Sequence, residues 1–492
     1  MKFSFITKDF IEQEFEANKL AIIAENNSYT WSEFETKVNQ VCELFKDNNW
    51  LNLENPIIIY GHKQAEMIIA IYACIKLEIS YIPIDVIYPN ERIEIIQKLA
   101  KVELVLNCTE SSLNLKNAVE IKLNVETIEI VSNSVVKIST IIHDDPIVYV
   151  IFTSGSTGEP KGVQISSQAV QTFTDWMTNS FGFTTNDVFI NIALFSFDLS
   201  VYELLSFGAL GSTILLSDKS TTENPDLFLE RIDKYKGSIW VSTPSFSFIY
   251  SRMENSTIEN TVKYFLFCGE MLPNVLAKSL KNNFKNTKIY NTYGPTEATV
   301  ATTLVEITDE IIENHNPLPV GFPKPNSEIL IEENEIIIVG KNVSLGYLNR
   351  PELNMEKFVI RNNERAFKTG DYGELVDGML FCKGRNDDQV KLHGFRIELN
   401  EITAKINEIP YVVKAETIAL KRNDEVKKIV SLVEIKNNVE KIEFKEDIIS
   451  QIKKTLPHYM VPSDIKIIPK IPLNQNGKAD KKMLEHIYLN KN

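Results

Sequence analysis

The segment Thr153–Gly162 has the composition of a loop that binds phosphate. It contains three glycines and four hydroxyl residues, and it follows Ile147–Phe152, a continuous apolar run typical of a strand buried on both faces. The backbone N–H groups and hydroxyls of such a loop can donate hydrogen bonds to phosphate oxygens. The Gly-Lys-Ser/Thr ending of a Walker A loop is absent, so a different loop geometry is expected. A flexible surface loop is the alternative if Gly-Ser-Thr-Gly is considered alone.

A second string, Asn291–Ala301, comes directly after a predicted parallel strand. Ligands of open α/β sheets bind at the carboxyl ends of the strands. Within this string, Tyr293 could stack on a base and Glu297 could hold Mg²⁺ on a triphosphate. A Gly-Pro turn with a solvated glutamate is the alternative interpretation.

Three further strings each carry a candidate for chemistry. Lys368–Gly373 places Asp371 on a tight turn, where its carboxylate could accept hydrogen bonds from two ribose hydroxyls. Gly384–Glu398 is rich in charged and glycine residues, and Pro472–Lys478 ends in a lysine beside a glycine. Taken singly, a turn carboxylate and a lone C-terminal lysine are features of a solvated surface.

The elements that must position these strings alternate between strand and helix over residues 147–300. Strand–helix–strand units imply a largely parallel sheet covered by helices. Short strands and glycine turns follow, and after a polar stretch at Gly384–Asp388 comes a smaller α+β unit. We therefore predict an α/β protein with an N-terminal core at residues 1–386, a β-rich subdomain at about 321–383, and a mobile α+β C-terminal domain at residues 387–492.

The composition of the 492-residue chain excludes several classes of protein. Hydrophobic residues make up 43% and charged residues 24%, which is typical of a globular enzyme. The net charge of −14 disfavours binding to nucleic acid. The five cysteines show neither metal-binding nor disulfide spacing, and no apolar run is long enough to span a bilayer. Because the N-terminus also lacks the pattern of a signal peptide, we expect a cytoplasmic enzyme.

In their order and separation, the five strings resemble those of the adenylate-forming superfamily, which includes acyl-CoA synthetases, firefly luciferase and the adenylation domains of nonribosomal peptide synthetases. The resemblance covers nearly the whole chain, from Tyr81–Asp85 to Lys478. Enzymes of this superfamily join a carboxylate to AMP and then transfer the acyl group to a thiol. The resemblance therefore implies ATP as a substrate and Mg²⁺ as its companion ion.

The resemblance also implies roles for individual residues. The nucleotide would be bound by Thr153, Ser154, Gly155, Ser156, Thr157, Gly158, Lys161, Asn291, Thr292, Tyr293, Gly294, Thr296, Asp371, Arg385 and Lys478. Thr157 and Glu297 would lie at Mg²⁺. Tyr293 would stack on adenine with Asn291 near its amino group, and Asp371, helped by Arg385, would bind the ribose. Lys478 would bridge the substrate carboxylate and the α-phosphate, offsetting the charge that builds there.

Asp387 matches the hinge position of the superfamily. After adenylation the small domain is expected to rotate there, so that Lys478 leaves the site. Lys391 and Gly394 would then line a tunnel for the thiol. The chain shows no carrier domain after Lys478 and no Gly-Gly-x-Ser attachment site for phosphopantetheine, so a separate carrier protein is expected to act in trans.

Asp198 is the residue that distinguishes between substrate classes. Ser200 and Glu203 have the spacing of a capping box, which predicts that the following helix is capped without Asp198. In amino-acid-activating relatives this position is an aspartate that pairs with the α-ammonium group. Because a desolvated carboxylate is costly unless a cation meets it, an amino acid is the expected substrate class.

By the same resemblance, the pocket for the amino-acid side chain would be uncharged. It would be lined by Leu199, Tyr202, Leu266, Cys268, Thr292, Val300 and Ala301. Asp198 and Lys478 would bind the ammonium and carboxylate groups. With Tyr202 limiting its depth, the pocket favours a small uncharged amino acid.

Within the superfamily, the pattern is most similar to that of D-alanine–carrier protein ligases, which share Phe-Asp-Leu-Ser-Val and the Phe-Cys-Gly-Glu at 267–270. The cysteine matching Cys268 is associated there with preference for the D enantiomer, although a small buried hydrophobe is an equal alternative. Tyr202 and Leu77-Glu78 depart from the pattern. A stand-alone peptide-synthetase enzyme for another small amino acid, an acyl-CoA synthetase that uses free CoA, and a catalytically silent binding protein are the competing hypotheses.

Overall fold

The computed structural model describes residues 17–51, 53–124, 128–130, 144–155, 158–251, 258–385, 388–422, 425–436, 443–473 and 479–490. The chain divides into two compact units. The first comprises Met1–Val86, Gln97–Ile151 and Gly162–Gly384, and the second comprises Ile87–Ile96, Phe152–Lys161 and Arg385–Asn492.

The strands of the described residues are numbered in chain order. They are β1 Leu20–Ile23, β2 Ser28–Thr30, β3 Ile57–Gly61, β4 Tyr81–Asp85, β5 Leu104–Asn107, β6 Val119–Leu123, β7 Ile128–Ile130, β8 Ile147–Thr153, β9 Lys161–Ser166, β10 Val188–Asn191, β11 Thr213–Leu216, β12 Ile239–Ser242, β13 Tyr264–Phe267, β14 Lys288–Tyr293, β15 Thr303–Glu306, β16 Phe322–Pro323, β17 Ser327–Glu332, β18 Glu335–Gly340, β19 Phe358–Arg361, β20 Glu364–Val376, β21 Met379–Arg385, β22 Gln389–Leu392, β23 Phe395–Glu398, β24 Val412–Arg422, β25 Glu425–Ile435 and β26 Asp464–Ile467.

The helices are numbered in the same way. They are α1 Trp31–Asp47, α2 Ala65–Leu77, α3 Asn90–Ala100, α4 Ser167–Ser180, α5 Val201–Leu210, α6 Lys219–Thr222, α7 Pro225–Tyr235, α8 Pro244–Tyr250, α9 Asn274–Asn283, α10 Asp309–Asn314, α11 Pro351–Lys357, α12 Leu399–Asn407, α13 Phe444–Ile452 and α14 Lys481–Leu489.

Two largely parallel sheets form the first unit. One has the order β16-β15-β14-β13-β12-β10-β11-β1-β2, and its strands from β14 to β1 run parallel. The other has the order β7-β6-β5-β3-β4-β8-β9. Strands β17 to β21 form a third, antiparallel sheet. The predicted fold class, an α/β protein with parallel sheets and a β-rich part, is confirmed.

Helix α2 shows how the sequence builds the core of the first unit. Its residues from Ala65 to Ile75 are all buried, because all of them except Glu66 are hydrophobic and pack within the main hydrophobic cluster. Helix α4 is amphipathic and begins at a serine cap, with the Ser166 hydroxyl accepting a hydrogen bond from the Ala169 amide. The second unit has its own core around α12, α13 and the sheet β24-β25-β26.

The predicted capping box at the start of α5 is wrong. Ser200 makes no capping hydrogen bond, and its hydroxyl instead donates to the Phe197 carbonyl at 2.8 Å. Glu203 is fully buried and turns away from the helix start, where it accepts a hydrogen bond from Asn191. A spacing of three residues permits the capping box, but Glu203 accepts its hydrogen bond from the buried Asn191 amide instead of from the helix start.

Across the parts of the chain that the structure describes, we find no helix whose length and hydropathy would let it cross a membrane.

Candidate active site

The predicted phosphate loop begins where β8 ends, in the second unit. The Thr153 hydroxyl is buried and has no hydrogen-bond partner among the described residues. A Cβ atom added to Gly155 would lie 1.8 Å from the Glu159 carbonyl oxygen, so only glycine fits there. Gly158 follows in the same loop, and Ser156 and Thr157 lie outside the described residues.

The backbone of this loop already holds an anionic oxygen. The Gly155 amide donates to Glu401 Oε2 at 2.9 Å, and Arg92 Nη1 donates to Glu401 Oε1 at 2.7 Å. Beside them, the Ser154 hydroxyl donates to the Arg396 carbonyl at 2.9 Å. A loop amide that binds a carboxylate can bind a phosphate oxygen by the same chemistry.

Lys161 is placed in this cluster as well. Its ammonium lies 3.3 Å from Glu398 Oε1, and both side chains are buried. Glu398 and Glu401 were not predicted as partners of the loop, because neither stands near it along the chain.

The string Asn291–Ala301 brings the predicted nucleoside-binding residues of the first unit together. The Tyr293 hydroxyl donates to Asp371 Oδ2 at 2.6 Å, and both side chains are buried. Burial, with the nearby Asp371 carboxylate, raises the pKa of Tyr293 well above its ordinary value. Asn291 Nδ2 donates to the Pro319 carbonyl at 2.7 Å, which fixes the orientation of the amide. Gly294 is required here, because a Cβ would lie 2.5 Å from Ala301 Cα.

Glu297 lies on the 3₁₀ turn Thr296–Ala298 and is fully buried. The Tyr347 hydroxyl donates to Glu297 Oε1 at 2.7 Å. Among the described residues, no group of three or more His, Cys, Asp or Glu side chains could hold a metal ion. Of the two residues predicted to hold Mg²⁺, the structure describes Glu297, whereas Thr157 lies outside the described residues.

The residues predicted to line the side-chain pocket all belong to the first unit. Thr292 Oγ1 donates to the Phe267 carbonyl at 2.8 Å, so it accepts the 2.7 Å hydrogen bond from the Tyr202 hydroxyl. Cys268 Sγ lies 3.9 Å from the Val300 carbonyl oxygen. Of the other predicted lining residues, Leu266 and Ala301 are buried, whereas Leu199 is half-buried.

Asp198 begins the 3₁₀ turn Asp198–Ser200 that leads into α5. It is half-buried, in contrast to the fully buried Tyr202 one turn further along. The residue predicted to meet the substrate ammonium therefore stands at the start of the helix that carries the pocket tyrosine.

The pocket wall contains two β-branched residues in the left-handed backbone region, Thr299 with φ 56° and Val300 with φ 67°. Such conformations cost about 1–3 kcal/mol each and persist only where neighbours hold them. The Thr299 hydroxyl donates to the Asn342 carbonyl at 2.7 Å, and Lys324 Nζ donates to the Ala301 carbonyl at 2.7 Å. Two long-range hydrogen bonds thus flank the strained wall.

Lys324 was not singled out from the sequence. Its ammonium is buried and lies 5.2 Å from the ring centroids of both Phe173 and Trp176. Burial lowers its pKa to about 7, because desolvation disfavours the charged form. A lysine before a proline carries no sequence signal of burial, so only the packing of α4 against this segment reveals it.

We expect Lys324 to make stability depend on pH. The folded state binds its proton with a pKa of about 7 against 10.5 ordinarily, so the free energy of unfolding rises with pH between these values and is independent of this group below them. The Lys324→Met variant should lack this rise, which is on the order of 4 kcal/mol. Urea unfolding at pH 6, 8 and 10 measures it, with the exposed Lys278→Met as control. Parallel pH profiles for Lys324→Met and the wild type would contradict the assignment.

The remaining predicted residues belong to the second unit. Arg385 ends β21, Lys391 lies in β22, and Gly394 is in the turn between β22 and β23 with φ 82°. Arg385 and Lys391 are both half-buried. The predicted hinge Asp387 and the predicted catalytic Lys478 lie outside the described residues.

Two protein-family models match this chain. The model of the AMP-binding enzyme family matches residues 12–348, and that of the AMP-binding enzyme C-terminal domain matches residues 401–478. The chain belongs to the AMP-binding enzyme family. The predictions of an adenylate-forming fold and of an AMP-forming ligase are thereby confirmed.

Relatives of this AMP-binding enzyme extend over its full length. A D-alanine–D-alanyl carrier protein ligase of Bacillus licheniformis is 37% identical, with 95% of this chain and 96% of the relative covered. The enzyme of the same name from Staphylococcus epidermidis is 36% identical, with 98% of each chain covered.

Solved structures share the fold at lower identity. The Vibrio cholerae adenylation domain AlmE, in complex with glycyl-adenosine-5′-phosphate, superimposes with a TM-score of 0.81 at 19% identity, covering 99% of this chain and 98% of that one. The o-succinylbenzoate CoA synthetase of Bacillus subtilis also reaches a TM-score of 0.81 at 19% identity, with 98% of each chain covered.

Proposed function

We propose that this AMP-binding enzyme activates D-alanine as D-alanyl-AMP, using ATP and Mg²⁺, and transfers the D-alanyl group to the phosphopantetheine thiol of a separate carrier protein. The observation that carries the proposal is 35–37% identity, over nearly the whole chain, to enzymes named D-alanine–D-alanyl carrier protein ligase. The uncharged pocket around Tyr202 and Cys268 supports a substrate with a small apolar side chain.

The physical problem of the first step is to bring an anionic carboxylate to the negatively charged α-phosphate of ATP. Attack by a carboxylate oxygen on the α-phosphorus forms the mixed anhydride and releases pyrophosphate. Positioning of the two reactants and neutralisation of their charge supply most of the rate enhancement. Lys478 is the proposed cation between the two anions, and Asp198 holds the amino group that makes the substrate an amino acid.

The nucleoside would be held by groups that the structure places within contact of one another. Tyr293 and Asp371 share a 2.6 Å hydrogen bond, so a base on the ring and a ribose on the carboxylate are compatible with a single nucleoside. With Nδ2 of Asn291 bonded to Pro319, Oδ1 is the remaining polar atom of that amide, and it can accept a hydrogen bond from the adenine amino group.

The phosphates require donors and a divalent ion. The buried hydroxyl of Thr153, which has no hydrogen-bond partner among the residues that the structure describes, and the amide of Gly155 would supply donors, the second after Glu401 is displaced. Glu297 would hold Mg²⁺ with Thr157, since carboxylate and hydroxyl oxygens are ligands that this ion accepts. When bound, Mg²⁺ supplies positive charge against the β- and γ-phosphates.

The second step requires a different arrangement of the small domain. We propose Asp387 as the hinge about which it rotates after adenylation, so that Lys478 withdraws and the β22–β23 hairpin, which carries Lys391 and Gly394, approaches the acyl-adenylate. The thiol of the carrier then attacks the acyl carbon and AMP leaves. The carrier supplies its thiol in trans.

The proposal is tested by ATP–pyrophosphate exchange with all L-amino acids, glycine, D-alanine and D-serine, and with acetate and benzoate as amine-free controls. Exchange dominated by D-alanine is the expected result. Strong exchange with an L-amino acid would move the enzyme to peptide-synthetase chemistry. Exchange with acetate or benzoate alone would favour an acyl-CoA synthetase, and release of no pyrophosphate with any acid would favour a silent binding protein.

Tyr202 is expected to limit the size of the accepted side chain. Its ring is fully buried and packs against Phe173 at 5.2 Å between centroids. Tyr202→Val should open space beside Thr292. Exchange with D-valine or D-leucine should then rise at least about tenfold relative to exchange with D-alanine, because one or two methylene groups change discrimination in a hydrophobic pocket by about this factor. Tyr202→Phe keeps the ring and removes only the hydroxyl, so it should leave the size limit unchanged. An unaltered preference in Tyr202→Val would place the ring outside the pocket.

A further inference from the structure

A buried polar network connects the two parallel sheets of the first unit beside the segment that carries Asp198. Lys63 Nζ donates to Asn191 Oδ1 and to the Ala193 carbonyl. Asn191 Nδ2 in turn donates to Glu203 Oε1 at 3.4 Å and to the Ala193 carbonyl at 3.2 Å. We call these three side chains, Lys63, Asn191 and Glu203, the Lys63–Asn191–Glu203 network.

Each member of the network comes from a different element. Lys63 lies in the connection between β3 and α2, Asn191 is the last residue of β10, and Glu203 is in the first turn of α5. All three are buried. The amide of Asn191 therefore bridges an ammonium supplied by one sheet and a carboxylate supplied by the helix that follows the other.

The network contacts the backbone segment that carries Asp198 at its two ends and within it. The segment 192–202 leaves Asn191 and returns at Glu203, so both of its ends are fixed. Lys63 also holds two points inside it, since its ammonium binds the Ala193 carbonyl and lies 4.9 Å from the centroid of the Phe195 ring. Neighbouring residues on a helix are about 100° apart, so anchoring Glu203 also sets the rotation of α5 and the direction of Tyr202.

Placing these charges in the interior is costly, and packing alone does not require it. Burial lowers the pKa of Lys63 to about 8 and raises the pKa of Glu203 to about 8, because desolvation disfavours the charged form of each. Glu203 Oε2 has no hydrogen-bond partner among the described residues, so the network is not fully satisfied. Well-packed apolar groups that replaced both charged partners together would stabilise the fold as well or better.

We propose that Lys63, acting through Asn191 and Glu203, is a positioning residue that holds Asp198 where the α-ammonium group of the substrate binds. This inference rests on the proposed function, since it assigns the ammonium to Asp198. Lys63 does not itself touch the substrate or ATP. Its loss should therefore weaken amino-acid use and leave ATP binding unchanged.

The test is a double-mutant cycle in the full-length enzyme, measured by D-alanine-dependent ATP–pyrophosphate exchange. Lys63→Met should raise the KM for D-alanine about 10- to 100-fold, the range for a displaced binding group, while the KM for ATP changes less than about twofold. In the Asp198→Asn background, Lys63→Met should have little further effect, because the group that it positions is already gone. The matched control is Glu66→Gln. Glu66 is a buried carboxylate on α2 that accepts a hydrogen bond from the Tyr29 hydroxyl, and its variant should behave like the wild type.

Three results would overturn the inference. In the first, the effects of Lys63→Met and Asp198→Asn on the KM for D-alanine multiply in the double mutant. In the second, Lys63→Met raises the KM for D-alanine and the KM for ATP equally. In the third, Lys63→Met leaves the KM for D-alanine unchanged. If Lys63→Met does not fold, Asn191→Ser, which shortens the bridge and keeps a hydroxyl, replaces it in the same cycle with the same expectations. Failure of the proposed function is distinguishable, because Asp198→Asn would then leave D-alanine exchange intact or the wild type would not use D-alanine.

Discussion

Replacing Lys478 by alanine is expected to abolish adenylation, lowering kcat for D-alanine-dependent ATP–pyrophosphate exchange by at least about 10³-fold. The reason is electrostatic. Two anions must approach within bonding distance, and removal of one preorganised charge-stabilising donor already costs roughly 10²–10³-fold in enzymes that stabilise a developing negative charge. Lys478 would serve both the carboxylate and the α-phosphate, so its loss falls at the upper end of this range.

The half-reactions separate a catalytic role of Lys478 from a structural one. Because Lys478 would leave the site before thiol transfer, Lys478→Ala supplied with preformed D-alanyl-AMP should still load the carrier protein at a rate near that of the wild type. The matched control is Lys482→Ala, an exposed lysine on α14, which should retain both half-reactions. Near-normal pyrophosphate exchange by Lys478→Ala, or loss of both half-reactions together, would reject the assignment.

Replacing Asp198 by asparagine is expected to remove most of the preference for an amino acid. The substrate ammonium would lose the charge that balances it, and breaking one partner of a desolvated ion pair costs about 2–5 kcal/mol. The kcat/KM for D-alanine should therefore fall roughly 30- to 5,000-fold, mainly through KM. The KM for ATP should stay within about twofold, since Asp198 does not contact the nucleotide in this assignment.

A matched variant separates the Asp198 effect from a helix-start effect. Asp226 is an exposed aspartate in the first turn of α7, so Asp226→Asn removes a favourable helix-start charge without affecting a substrate group. It should keep wild-type exchange kinetics. If Asp198→Asn does the same, Asp198 is a helix-start residue and the substrate needs no amine.

The local structure of the site was largely predictable from the sequence. The apolar run before Thr153 became β8, the serine before Ser167 became a helix cap, and Asn291 and Tyr293 fell at the carboxyl end of β14. These features depend on neighbours along the chain, such as side-chain periodicity, turn residues and capping hydroxyls. The residues that the resemblance selected for the pocket include two pairs in contact, Tyr202 with Thr292 and Cys268 with Val300.

The partners of the buried polar side chains were not predictable. The capping-box spacing of Glu203 was an incomplete guide, because Asn191 competes for the carboxylate from another element. Glu401 at the phosphate loop and Lys324 at the pocket wall stand far along the chain from the groups that they bind. Hydrogen bonds of this kind depend on which strand ends the fold brings together, and a local sequence pattern does not show which distant residues become neighbours.

The sequence by itself indicated the chemistry of this protein, because the predicted phosphate loop, the Tyr293 string and Lys478 lie in short segments whose residue types and order are readable without a fold. The tertiary structure decided which charges are buried, which carboxylate occupies the loop amide, and how the segment carrying Asp198 is held. The physical reason is that burial and long-range hydrogen bonding arise from packing between sheets and helices, whereas motif chemistry is carried by covalent neighbours.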